Sequence, residues 1–251
     1  MAIGGDDVVK SVGRVFEVLP LFDARRAPLR ATDVERALHY PQSSTLALLK
    51  SMVRLGYLAF ERLDRTYLPT MRVAALGHWL DAAFHGEGRL AALLEDLGES
   101  TSETVCLSCQ NDLSMQFTQV RLGSQGLILS VRPGDLAPLF QSAIGLTALS
   151  ARPDAAIRKL AQRMNRQVRR PAPKIDPEAV LQRVRRIRVA GHGMGYDLYM
   201  AGVGAIAWVL RPANVPRPIV LSVGGPVARI RAREAQIVKA ARAALRRHLG
   251  S

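Results

Sequence analysis

Two helical segments meet at a three-residue break and run straight into a hairpin, and this punctuation constrains the chain more than any other feature of its sequence. Thr32 to Leu38 has helical spacing, with Thr32 placed as an N-cap three residues ahead of Glu35. In that capping-box arrangement each side chain satisfies one orphan amide of the first turn. His39-Tyr40-Pro41 interrupts the helix, Pro41 presets φ for a new start, and a longer helix over 42–55 runs to Gly56. Upstream, Val8, Val12, Val15, Val18, Leu19 and Phe22 recur at helical spacing and predict an amphipathic first helix ending near Asp23. Downstream, Tyr57 to Phe60 and Thr66 to Leu68 flank the polar tip Glu61 to Arg65, the pattern of a β-hairpin. Together these elements outline a winged helix-turn-helix, in which the second helix of the pair enters a DNA major groove and the hairpin forms the wing.

The longer helix divides into two faces. Thr45, Leu48, Leu49 and Met52 share the face that packs, whereas Ser43, Leu46, Ala47 and Lys50 share the other. Short side chains with one lysine let a helix approach a groove floor closely. Gln42, Ser43, Ser44 and Lys50 can donate to or accept from base edges, and Leu46 or Ala47 can meet thymine methyls. Arg62 and Arg65 stand at the wing tip, where phosphates or a minor groove would be met. The DNA-binding set expected from sequence is therefore Gln42, Ser43, Ser44, Leu46, Ala47, Lys50, Arg62 and Arg65. One such head reads only a few base pairs, so specific recognition calls for a homodimer or homotetramer.

Charge gives this reading little extra support. The formal net charge is +14, but residues 1–80 hold 11 basic and 8 acidic residues, leaving 24 and 13 for residues 81–251. The excess thus lies outside the expected DNA-binding head, and only five of the 35 basic residues are lysines, as arginine-biased codon usage and solvated faces would produce. No apolar run is long enough to span a bilayer, and the opening MAIGGDDVVK has no apolar core of a secretory signal, so the expected location is the cytoplasm, away from membranes. Cys106 and Cys109 fall on a predicted strand, where a spacing of three sends the two thiols to opposite faces and argues against a redox or zinc pair.

The rest of the chain alternates strand and helix patterns. Strands are predicted over 103–110, 113–121, 126–132, 196–199, 204–210 and 218–224, and helices over 139–151, 154–164, 176–193 and 229–248. The expected class is α+β, an antiparallel sheet with helices behind the winged head. The expected division is a head over 1–70, a linker helix region over 71–97 broken at Gly86 and Gly88, and an effector-binding and oligomerisation domain over 98–251.

Several separated motifs then add a family. Pro41-Gln42-Ser43-Ser44-Thr45 with Leu48-Leu49, Leu55-Gly56-Tyr57-Leu58, Glu103-Thr104-Val105, Pro138-Leu139 leading to Gly145 and Ala148-Leu149, Arg188 with Gly195-Tyr196, and Leu221 to Pro226 stand in one order. In that order the chain resembles the IclR family of bacterial regulators over nearly its whole length. The resemblance implies a GAF-like C-terminal fold, dimerising heads and a small-molecule effector held against the sheet. The effector positions it implies are Ala143, Ile144, Tyr199, Ala205 and Ser222. The chain departs from the family at Ala47, where arginine is frequent, and at Leu146, Ala205 and Gly224, where lysine, a polarisable residue and a second serine are common. The stretch between Tyr196 and Gly202 is also short, and an acidic ligand-contacting segment is lost. These changes remove polar anchors and predict an apolar or aromatic effector.

Catalytic chemistry finds no footing. Gly202-Val203-Gly204-Ala205-Ile206-Ala207 imitates a dinucleotide fingerprint, but the residues after it read as a strand where that motif needs a helix. There is no nucleophile elbow or Walker loop, and the five histidines are scattered, so no enzyme activity, cofactor or metal is expected. The alternative reading is a metabolite-binding module or enzyme whose head serves protein interaction.

Overall fold

The computed structural model describes residues 9–76, 88–167, 173–211 and 218–250, and the chain divides into two compact units, Met1–Ala82 and Ala83–Ser251. Within the first, α1 (Lys10–Arg25), α2 (Ala31–Leu38) and α3 (Gln42–Arg54) pack with a three-stranded antiparallel sheet of order β1-β3-β2. Its strands are β1 (Leu29–Arg30), β2 (Leu58–Glu61) and β3 (Thr66–Pro69). Val18, Phe22, Val34, Leu49, Met52, Leu58 and Tyr67 form the core, one contribution from nearly every element. The start of α2 differs from the Thr32–Glu35 expectation. Arg30 is drawn into a strand pair with Thr66, so the helix opens one residue earlier, and the Asp33 carboxylate accepts the Arg30 N–H at 2.8 Å. Residues 71–76 are helical; Leu80, Phe84 and Gly86 of the expected linker lie outside the described residues.

The second unit is built on a six-stranded antiparallel sheet of order β6-β5-β4-β9-β8-β7. Its strands are β4 (Thr104–Asn111), β5 (Ser114–Arg121), β6 (Leu136–Pro138), β7 (Gly193–Tyr196), β8 (Val203–Leu210) and β9 (Ile219–Pro226). On one face α5 (Ala143–Ser150), α6 (Asp154–Gln167) and α7 (Pro177–Ala190) enclose a core with Cys106, Met115, Phe117, Ala207 and Val220. On the other, α4 (Arg89–Thr101), α8 (Val227–Ala232) and α9 (Glu234–Leu249) cover Val105, Leu107, Ile206, Trp208, Leu221 and Val223. Period-two alternation along β8 and β9 sorts side chains between the two cores, as strand geometry requires. Cys106 joins the first core and Cys109 packs against the second, on the opposite faces their spacing implies. This is the expected α+β architecture.

Several boundaries moved. Residues 126–132 form no strand; the edge of β5 is taken by β6, because Phe117 exchanges backbone hydrogen bonds with Gly134 and Asp135 and brings Leu136–Pro138 alongside. The helix expected from residue 139 therefore starts at Ala143, capped by Ser142. Gly191, with φ of 74°, ends α7 three residues early, which frees Gly193–Tyr196 for β7 in place of 196–199. The last helix is two, parted at Arg233.

Candidate functional site

The head presents its candidate residues outward. On α3, Thr45 and Leu49 are wholly buried and Met52 is 2% exposed, which fixes the rotation of the helix, while Gln42, Ser43, Ala47 and Lys50 are exposed. Ser44 and Leu46 are half-buried, and the Ser44 hydroxyl donates to the Pro41 carbonyl at 2.9 Å, so its remaining use toward a ligand is as an acceptor. The helix start is further held by Thr45, whose backbone N–H and hydroxyl both reach Pro41 O. The wing pairs Leu58 with Pro69 and Glu61 with Thr66, the Phe60 and Tyr67 rings lie 4.8 Å apart, and Arg62 and Arg65 project at an exposed tip. Arg65 adopts φ of 52°, the left-handed turn position that closes the tip.

The break between α2 and α3 is fastened as well. Tyr40 donates its hydroxyl to the Glu17 carboxylate on α1, and the Arg14 guanidinium lies 4.5 Å from the Tyr40 ring centroid. Sequence periodicity carried no signal for this contact, because it joins residues more than twenty positions apart.

In the sensing unit the five positions Ala143, Ile144, Tyr199, Ala205 and Ser222 line one cavity against the sheet, with about 500 Å³ of empty volume including its open mouth. Ala143 and Ile144 come from the first turn of α5, Ala205 and Ser222 from adjacent strands, and Tyr199 from the turn between β7 and β8. The Tyr199 hydroxyl donates to the Leu136 carbonyl at 2.9 Å, holding the half-exposed ring beside β6. Ser142 Oγ is already committed, donating to Pro138 O and accepting from Gly145 N. Ser222 is different: it is 4% exposed, and its hydroxyl makes no hydrogen bond among the described residues. None of the described side chains lining the cavity is charged. Phe117 on β5, Leu129, Val131 and Met200 also line it; Leu129 and Val131 carry no alternation signal, since residues 124–134 run beside the sheet without joining it.

Two glycines explain the motifs around this cavity. A Cβ on Gly145 would sit 2.0 Å from the Leu139 carbonyl, so α5 can approach the preceding turn only with glycine there. A Cβ on Gly224 would meet Leu129 Cδ2 at 2.7 Å; the missing second serine is thus matched by a leucine filling its space. Leu146, standing where lysine was expected, is buried in the core. Leu129 in turn is held by Thr104, whose hydroxyl donates to its carbonyl at 2.7 Å, and Leu127 O accepts from Arg229. Arg229 also grips the fully buried Glu103 through both carboxylate oxygens, at 2.5 and 2.7 Å. Burial pushes the Cys106 thiol up to about 12, so it stays protonated and serves as packing. The mimic of a dinucleotide fingerprint lies on β8, a strand.

A winged helix-turn-helix with an exposed reading helix, carried in one chain with a sheet domain that encloses an uncharged cavity, is the arrangement of an effector-binding transcriptional regulator. Residues 11–62 match the IclR helix-turn-helix domain, and residues 88–247 match the model described as bacterial transcriptional regulator IclR C-terminal. The chain belongs to the IclR family. Among its relatives, the HTH-type transcriptional regulator XynR of Escherichia coli is 22% identical over 80% of this chain and 79% of its own length. The Pca regulon regulatory protein of Pseudomonas putida is 21% identical over 90% of this chain and 78% of its own. The fold is similar to that of Thermotoga maritima IclR, with a TM-score of 0.67 at 16% identity, covering 94% of this chain and 98% of that one. It is similar also to an IclR homologue from Microbacterium hydrocarbonoxydans complexed with 4-hydroxybenzoate, with a TM-score of 0.62 at 21% identity, over 93% and 100% of the two chains.

Proposed function

We propose that this regulator binds a duplex operator through α3 and the wing as a homo-oligomer in the cytoplasm, and that a small, largely apolar or aromatic effector in the sensing cavity tunes that binding. Gln42, Ser43, Ser44, Leu46, Ala47 and Lys50 read bases, while Arg62 and Arg65 meet phosphates. Exposed apolar side chains support assembly with a second copy: Val9, Val12 and Phe16 share one side of α1, and Met71 and Leu76 are 82% and 59% exposed. The single observation that carries the effector class is the uncharged cavity wall with one uncommitted hydroxyl at Ser222. A short keto acid leaving water needs several charge-assisted donors, and losing each costs about 1–3 kcal/mol. An aromatic acid carries the same carboxylate but adds a ring whose apolar contact offsets part of that cost, leaving Ser222 and the first-turn amides of α5 as its oriented polar partners. The complex of the Microbacterium homologue with 4-hydroxybenzoate is in keeping with a ring of that size.

Gel retardation with the upstream region of its own gene tests the DNA half, and light scattering at micromolar concentration tests assembly. Calorimetry with 4-hydroxybenzoate and with pyruvate tests the effector half. Tight pyruvate binding unaffected by Ser222→Ala would refute the assignment of both the cavity and its chemistry.

A further inference from the structure

The basic excess of residues 81–251 is used by neither site described so far. Much of it is neutralised inside the domain: Arg188 pairs with Asp154, Arg229 with Glu103 and Arg247 with Asp96. One face of α9 is an exception. Lys239, Arg242 and Arg246 stand three and four residues apart, on neighbouring turns, and their side chains make no hydrogen bond or ion pair with any described residue. All three line an open cleft, with about 770 Å³ of empty volume including the solvent at its mouth, whose far side is His192, at the turn between α7 and β7. The His192 ring stacks at 6.0 Å from Trp208 and its Nδ1 lies 3.0 Å from the Ala190 carbonyl, which fixes the imidazole and leaves Nε2 uncommitted. The cleft's one acid, Glu234, accepts the Tyr196 hydroxyl at 2.5 Å, and Arg231 lies 4.7 Å from that ring.

Three like charges gathered in a concavity repel one another and focus a positive field, which the single lining carboxylate, Glu234, offsets only in part. Guanidinium groups grip phosphate oxygens in pairs, which is the geometry two arginines and a lysine on one helix face supply. Lys239 and Arg246 lie about 10 Å apart along the helix, the reach of two linked phosphates with the side chains folding inward. A duplex would track a convex stripe; these groups sit in a recess. We propose that the cleft between α9 and the α7–β7 turn is a second ligand site of the sensing domain, and that it takes a small anion carrying a diphosphate group.

The test is calorimetry on the full chain at constant ionic strength, titrating inorganic pyrophosphate and ADP against a chloride control, because screening alone would mimic weak binding. Saturable binding of either supports the site, and the tighter of the two tells a free diphosphate from a nucleotide. Replacing Arg242 and Arg246 together by alanine should weaken that binding by about ten-fold or more, equivalent to about 1.4 kcal/mol. Replacing Arg183 and Arg186, exposed on α7, should leave it unchanged. Lys239→Gln should act in the same direction as the double change and gives an independent reading should that variant fold poorly. The site is overturned if neither anion binds above chloride, if the α7 control loses as much affinity, or if the α9 variant weakens random duplex binding and leaves pyrophosphate untouched.

Discussion

The two units solve opposite problems. The head keeps its packing residues on one side of α3 and shows Gln42, Ser43, Ala47 and Lys50 to solvent, whereas the sensing domain turns Ile144, Ala205 and Ser222 inward against the sheet. A surface used for recognition can be altered with little change in stability, because its side chains touch little else. A cavity wall cannot, since each residue there is also part of the core or lies against it. The comparison predicts that substitutions in the head separate binding from folding and that those around the cavity couple them.

The largest effect is expected at Glu103. Glu103→Ala leaves Arg229 beside the Leu127 carbonyl without its carboxylate, and breaking such a buried pair costs about 3 kcal/mol, near the lower bound because Arg229 is partly exposed. Hydrogen-exchange mass spectrometry should show protection lost across β4, α8 and residues 124–131, with the head unchanged; equal loss in both units would break the comparison. Next is Ala205→Phe, which fills the cavity. Affinity for 4-hydroxybenzoate should fall by about 100-fold, or about 2.7 kcal/mol, and the thermal midpoint should rise with it as the ring fills the void; an unchanged midpoint would break the comparison.

A smaller change, about ten-fold in operator affinity, is expected from replacing Arg62 and Arg65 together by alanine. The loss should be alike for all sequences, and the logarithmic salt slope should flatten by about 2, with urea stability unaltered. A steep loss for the operator alone would move the wing from phosphate contact to base reading.

The smallest effect concerns acid. Burial tends to raise the Asp96 carboxyl, but hydrogen bonds from His248 and Arg247 outweigh it and hold the group below its ordinary range. A carboxyl depressed in the folded state stabilises fully above its unfolded pKa and loses that contribution as the pH falls through the lower, folded value. Stability should therefore decline below about pH 4, and Asp96→Asn should flatten that decline by a few tenths of a kcal/mol in urea titrations run at successive pH values.

The sequence alone determined the head almost completely. Its helices, break and hairpin are local features, governed by 3.6- and 2-residue periods and by Pro41 and Gly56, and they stand within one or two residues of where those signals put them. It also determined the α+β class and the gathering of Ala143, Ile144, Tyr199, Ala205 and Ser222, although that gathering came from resemblance to a family and no spacing could have shown it. Tertiary structure decided the remainder. Residues 126–132 have strand-like composition, yet the edge of β5 went to Leu136–Pro138, because a ladder position is won by whichever segment the preceding turn brings alongside. The start of α2 shifted because Arg30 found a partner in Thr66. Leu129 closes the space above Gly224, and Lys239, Arg242 and Arg246 share a recess with His192; such neighbours are distant in the chain, and only the folded sheet sets them side by side.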